Sequence, residues 1–170
     1  MSPEQRALVI ALATVPGRQP MSKEQFLREF RTENGVVLGL VLLREATARQ
    51  DPVDVALALV VCFRFGFTDG HLQPLLTLAF ADWHQRHEDV ASALGKLRSP
   101  ASVDALAHLA QWVPAYLDFD DARALAVKAI WALGGTPGPE AEQALKRLLN
   151  AQNVIVREAA KKQLMRREAL

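Results

Sequence analysis

The segments HEDVASALGKL (residues 87–97) and LAVKAIWALGG (residues 125–135) carry the same apolar pattern at two places in the chain. The triplet Ala-Leu-Gly occurs in both, and the step from Leu94 to Leu133 sets the two copies 39 residues apart. Similarity at such a period is typical of stacked repeats, because a single repeat cannot bury its apolar face alone. The sequence therefore predicts a chain of helical repeats with an extended surface and no catalytic cleft.

A third copy of the pattern lies in VIVREAAKKQL (residues 154–164), 31 residues after the second when Leu133 is aligned with Leu164. The insertion VPAYLDFDD (residues 113–121) explains why the first interval is longer. Further apolar positions obey the 39-residue shift, namely Leu106 with Leu145 and Leu109 with Leu148.

Helical periodicity continues through the rest of the chain, and the strict alternation of strands is missing. Cap and turn residues predict helices over 3–14, 22–32, 36–48, 52–66, 70–81, 85–97, 101–113, 121–134, 139–150 and 153–168. We read residues 1–170 as a single all-α domain. Helix pairs are clear over residues 85–170 and degenerate over 22–84, and residues 1–21 form an N-terminal capping helix, stopped at Val15-Pro16-Gly17, and a loop.

The segment 154–164 resembles the first helix of a HEAT-like repeat, whose usual form is V-R-x-A-A-x-x-x-L. It matches at Val156, Arg157, Ala159, Ala160 and Leu164, and residues 125–135 match at fewer positions. The resemblance implies a right-handed α-α superhelix of HEAT-like helix pairs. In such repeats the second helix of each pair lines the concave side.

The order of four segments is similar to that in small bacterial HEAT-repeat proteins encoded beside polymorphic toxins. The segments are CFRFGF (62–67), DWHQRHEDV (82–90), YLDFDD (116–121) and KAIWALGG (128–135). That resemblance implies an immunity protein, which binds and neutralises a cognate toxin. Two alternatives stay open: a nucleic-acid-binding or HEAT-like DNA-repair protein, and an adaptor or scaffold.

Composition narrows the possible functions. The 20 Lys and Arg residues nearly balance the 19 Asp and Glu residues, which argues against general binding of polyanions. The single cysteine, Cys62, excludes an intrachain disulfide and suits a cytoplasmic protein. The longest apolar runs, 35–43 and 55–63, fall far short of the roughly 20 residues of a membrane span. We expect no signal peptide, no cofactor and a monomer when the protein is alone.

No motif predicts a catalytic or metal site. His84 and His87 are three residues apart in WHQRHED (83–89), but they lack a third ligand and the spacing of zinc proteases. From Lys146 onward the chain carries seven cationic and two acidic side chains. This basic segment fits either a nucleic-acid contact or, as we favour, a solvated terminal helix.

The candidate binding residues lie off the apolar stripes of the helices expected to line one side of the stack. Trp112 is open to two interpretations, a protein-binding hot spot or a half-buried flank of the core, whereas Trp131 is expected to pack in the core. The candidate partner-binding residues are Arg44, Glu45, His71, Asp104, His108, Gln111, Trp112, Lys146 and Arg147.

Overall fold

The computed structural model describes residues 1–14, 16–17 and 19–169. Val15, which belongs to the expected stop of the first helix, lies outside them, as do Arg18 and Leu170. The described residues contain helices and turns and no strand, which confirms the all-α prediction. The α-helices are α1 (Pro3–Leu12), α2 (Lys23–Glu29), α3 (Gly35–Arg49), α4 (Pro52–Phe65), α5 (Leu72–Ala79), α6 (His87–Leu97), α7 (Val103–Leu109), α8 (Ala124–Gly135), α9 (Pro139–Leu148) and α10 (Val154–Glu168).

Side-chain caps fix where several of these helices begin. The Asp51 carboxylate accepts hydrogen bonds from the backbone N–H groups of Val53 and Asp54, both at 3.0 Å. The Asn34 side chain does the same for Val36 and Val37, at 3.1 and 3.0 Å. These bonds satisfy N–H groups that have no partner inside the helix. Asn34 therefore starts α3, in addition to following the end of α2.

The first compact unit comprises Met1–Pro74. Within it, α3 packs most extensively against α4, and α1 also packs on α4. Helices α3 and α4 approach closely at Gly39, where a Cβ atom would lie 3.1 Å from the sulfur of Cys62. The degenerate helix pair predicted over 22–32 and 36–48 would pack α3 mainly against α2. The main packing partner of α3 is instead α4.

A buried carboxylate joins three parts of this unit. Asp54 is 1% exposed and accepts hydrogen bonds from the N-terminal ammonium of Met1, from Arg6 Nε at 2.8 Å and from Arg49 at 3.1 Å. Burial acts to raise the pKa of Asp54, but the hydrogen bonds from Met1 and Arg6 outweigh it and lower the pKa overall. The charge is thus held in the core by paired donors.

The second compact unit comprises Leu75–Leu170 and contains the clear repeats. Helices α6, α8 and α10 pack side by side in one layer, and α7 and α9 form the other. The repeated residues Leu94, Leu106, Leu133 and Leu145 are all fully buried between the helices. This stacking is the repeat packing that the 39-residue shift predicts. That all 170 residues form one domain remains a prediction.

Candidate protein-binding surfaces

Four of the candidate residues lie on α7 and in the turn that follows it. The helix ends at Leu109, four residues earlier than the sequence pattern predicts. Pro114 sets a later limit, because it disfavours helical backbone at Val113 and cannot donate a backbone hydrogen bond. The chain still makes another helical turn, in which the Trp112 N–H donates to the carbonyl of His108 at 2.9 Å. Trp112 therefore stays directly above His108.

The aromatic stack consists of the rings of Phe80, His108 and Trp112. The ring centroids of Phe80 and His108 are 4.8 Å apart, and those of His108 and Trp112 are 5.3 Å apart. Phe80 is 57% exposed, whereas His108 and Trp112 are half-buried. Asp104 and Gln111 lie beside them with exposed side chains. The stack thus presents apolar area with polar neighbours to the solvent.

His87 packs against Trp112 on the buried side of this stack. Its ring meets Trp112 edge to face with centroids 4.8 Å apart, and it lies 4.1 Å from the ring of His84. The Nε2–H group of His87 donates to the Ala81 carbonyl at 2.7 Å, and the Tyr116 hydroxyl donates to Nδ1 at 2.9 Å. Both nitrogens are satisfied by a neutral ring, which suits its complete burial.

His84 is bonded in the same way. Its Nε2–H group donates to the Leu78 carbonyl at 2.8 Å, and the Arg86 backbone N–H donates to Nδ1 at 3.0 Å. Burial lowers the pKa of both imidazoles, that of His87 to about 4. Neither ring keeps a free lone pair for a metal ion, and the described residues contain no cluster of three or more potential ligands. The pair His84–His87 is a structural support.

The remaining candidates differ in how accessible they are. On α9, Lys146 and Arg147 are exposed, and Lys146 forms an ion pair with Glu142 at 2.6 Å. In the first unit, Arg44 and Glu45 are exposed as well. His71 is not: it is fully buried, with Nδ1 against Thr68. A turn of 3₁₀ helix over Asp69–His71 directs this ring inward, so the expectation of an exposed His71 is wrong.

Trp131 also departs from expectation. It is 44% exposed on the outer side of α8, and the core-facing side of the helix is formed by small and aliphatic residues such as Ala126, Ile130 and Leu133. The sequence holds a signal for this: Lys128 and Gly135 lie three residues before and four residues after Trp131, on the same helical face. Phe80 was missed as a candidate too, because the pattern counts it among the apolar residues of the helix predicted over 70–81, whereas α5 ends at Ala79 and Phe80 is exposed.

Residues 88–111 and 125–151 match the family model described as PBS lyase HEAT-like repeat. The two matched segments cover α6 with α7 and α8 with α9, so each corresponds to one helix pair. The chain carries HEAT-like repeats. It has no significant match among curated proteins or among solved structures. In the part of the repeat protein that the structure describes, no helix is both long and apolar enough to cross a bilayer.

Proposed function

We propose that this HEAT-like repeat protein is a non-catalytic binding protein whose partner docks on the α7–α9 layer. The finer proposal is an immunity protein that binds a cognate bacterial toxin in the cytoplasm and blocks its active site or substrate route. The protein alone is a monomer in this proposal. HEAT-like repeats generally mediate contacts between proteins, which supports the broader statement.

The observation that carries the proposal is the stack of Phe80, His108 and Trp112. Aromatic residues dominate binding energy at interfaces, because they bury a large area and lose little conformational freedom. Trp112 is already fixed by His87 and His108 before any partner arrives, so its ordering cost on binding is small. Asp104 and Gln111 supply the polar rim that such a surface needs.

The toxin as partner is supported by the resemblance of four sequence segments to immunity proteins. Charged residues at the rim, namely Asp104, Lys146 and Arg147, would steer association and select the partner. Cys62, His84 and His87 are poorly placed to act as a nucleophile or base. Burial raises the pKa of the Cys62 thiol to about 12, and both nitrogens of His84 and His87 are hydrogen-bonded.

The test is binding to the toxin domain that this proposal expects to be encoded next to the gene, measured by calorimetry. We expect Trp112→Ala and the double variant Asp104→Arg/His108→Glu each to weaken binding by at least about tenfold, or about 1.4 kcal/mol. The matched control is Trp131→Ala, another tryptophan of the same unit but on the other helix layer. If both variants stay folded and bind like the parent, the α7–α9 surface is the wrong one. If the parent itself does not bind or inhibit the toxin, the immunity proposal fails.

The nucleic-acid alternative is favoured only by the basic α10, and it has its own signature. Each phosphate contact releases counterions, so the logarithm of the affinity falls with the logarithm of the salt concentration by about 0.9 per contact on B-DNA. We expect only weak, non-specific binding near physiological salt. Tight binding whose salt slope decreases on replacing Lys161, Lys162 and Arg166 would favour that alternative. An adaptor would instead bind two partners at once.

A further inference from the structure

The α6–α8–α10 layer carries an open groove that the proposed function does not use. The groove lies between α8 and α10 and has a volume of about 660 Å³. Three large apolar side chains on it face solvent: Trp131 is 44% exposed, Val154 is 56% exposed and Met165 is 61% exposed. Ile155 and Ala159 form more of its wall. Exposed apolar area concentrated in this way marks an interaction site more often than a random surface.

Cationic side chains border the apolar wall. Lys162 Nζ lies 5.7 Å from the centroid of the Trp131 ring, and the guanidinium carbon of Arg166 lies 5.5 Å from it. Lys161 also lines the groove, against one acidic residue, Glu158. Within the described residues, no ion pair involves Lys161, Lys162 or Arg166, so their charges remain available to a ligand.

The apolar surface continues on the other side of Trp131. A second groove, with a volume of about 440 Å³, runs between α6 and α8 and is lined by Gly95, Val127 and Ala132. Gly95 keeps the two helices close, since a Cβ atom there would lie 3.0 Å from that of Ala132. Trp131 thus forms a ridge between two adjacent depressions. A single bound element could place one apolar side chain in each depression, on either side of the indole.

We propose that this groove binds an acidic amphipathic helix of a protein partner. Apolar side chains of that helix, spaced by three or four residues, would fill the depressions beside Trp131. Its carboxylates would form ion pairs with Lys161, Lys162 and Arg166, because the charge of the helix is opposite to that of the groove's border. This site uses none of the residues of the aromatic stack, so it is independent of the proposed function.

An acidic protein segment fits better than a nucleic acid for a geometric reason. The wall is formed mainly by aliphatic side chains, which offer nothing to a phosphate. The indole that could stack on a base is already covered by Lys162 and Arg166. A base would have to displace both cations, whereas a carboxylate binds them where they are. The cations and the apolar wall therefore act together only for an amphipathic ligand.

The experiment selects ligands from a displayed library of random peptides about four helical turns long, using the full chain as bait. We expect enriched peptides to be acidic, with apolar residues at helical spacing. Their affinity should fall at least about tenfold on Trp131→Ala and on Lys162→Glu. Both positions are exposed, so the variants should fold, and circular dichroism checks this. Lys146→Glu, an exposed cation away from the groove, is the matched control and should bind normally.

Three outcomes would overturn the proposal. The first is no enrichment, or enriched peptides that are basic or that bind both variants like the parent. The second is tight binding of a mixed-sequence DNA duplex that Lys162→Glu abolishes, which would assign the groove to nucleic acid. The third is a dimer in sedimentation that both Trp131→Ala and Phe119→Ser dissociate. Phe119 is 77% exposed between Asp118 and Asp120, so this acidic loop of a second copy would then be the occupant.

Trp112→Ala separates this inference from the proposed function. That variant should leave peptide binding unchanged while it weakens binding to the toxin domain. If Trp112→Ala leaves toxin binding unchanged, the aromatic stack is not the toxin site and the groove proposal stands. If the folded variant loses peptide binding, the assignment of the peptide to the groove fails.

Discussion

Trp112 and Trp131 lie on opposite helix layers of the second unit and are held in different ways. Trp112 is half-buried and fixed by two imidazole rings, of which His87 is itself hydrogen-bonded on both nitrogens. Trp131 is 44% exposed, and the long side chains of Lys162 and Arg166 lie over its ring. One surface is therefore ordered in advance by packing, whereas the other is bordered by exposed cations whose charges remain available to a ligand.

The difference predicts different binding behaviour. A rigid aromatic surface selects its partner by shape and loses little entropy on binding. A groove bordered by mobile cations accepts several acidic sequences, and salt weakens its binding through screening. Two faces of one repeat array can thus bind two kinds of partner, provided that the core between them stays rigid.

The largest expected effect comes from that common core. Leu133 and Trp131 lie on the same helix, but Leu133 is fully buried. Leu133→Ala should lower the free energy of unfolding by about 2–5 kcal/mol, because it removes buried methyl groups and leaves a cavity. Urea denaturation followed by circular dichroism measures this, with the exposed Val154→Ala as control. A loss no larger than that of the control would show that the repeat register is wrong.

The next effect is a dependence of stability on pH that arises from the buried His87 beside Trp112. The folded pKa of His87 is about 4, against an ordinary value of 6.5. Between these values the unfolded chain binds a proton that the folded chain does not, so stability falls as the pH is lowered from 6.5 towards 4. Since one pKa unit is worth about 1.4 kcal/mol, the loss should reach about 3 kcal/mol over that range. His84, whose pKa is lowered too, acts in the same direction.

The measurement compares urea unfolding of the parent and of His87→Gln at about pH 7.5 and about pH 4.5. These values lie on either side of the ordinary histidine pKa of about 6.5. The glutamine variant should show a smaller difference between the two conditions, because its side chain does not titrate. An equal pH dependence in both proteins would mean that His87 is not buried as a neutral ring.

The two tryptophans should also differ in what their removal costs. Trp112→Ala should destabilise the protein by about 2 kcal/mol, since it leaves His87 and His108 without their ring contact. Trp131→Ala should cost about 1 kcal/mol or less, because an exposed cation–π contact contributes little. Thermal denaturation of the two variants side by side decides this. Equal losses would contradict the contrast between a packed and a flexibly covered indole.

The smallest expected effect is that of removing metal ions. Because the ring nitrogens of His84 and His87 are already bonded, purified protein should carry no stoichiometric zinc, and chelators should leave its melting temperature unchanged. Elemental analysis and a melting curve with chelator are the measurements. About one zinc per chain, lost in the His84→Ala/His87→Ala variant, would falsify this prediction.

Much of the fold could be predicted from the sequence because helical repeats depend on local patterns. The 39-residue shift placed Leu94 and Leu133 at equivalent buried positions, and both are fully buried. Caps such as Ser2 and Asp51 begin helices where the pattern places them. Helix ends were less predictable: the pattern of α7 continues to residue 113, but the regular helix ends at Leu109.

The candidate site was less predictable, since exposure depends on neighbours that are distant in the chain. The sequence by itself determined the helices, the repeat period and the apolar residues of the core, because these follow from periodicity and caps within one element. Only the tertiary structure decided that His71 is buried, that Trp131 faces solvent and that Phe80 stacks on His108. Each of those outcomes depends on which helix covers a given side chain, and that is settled by packing between elements.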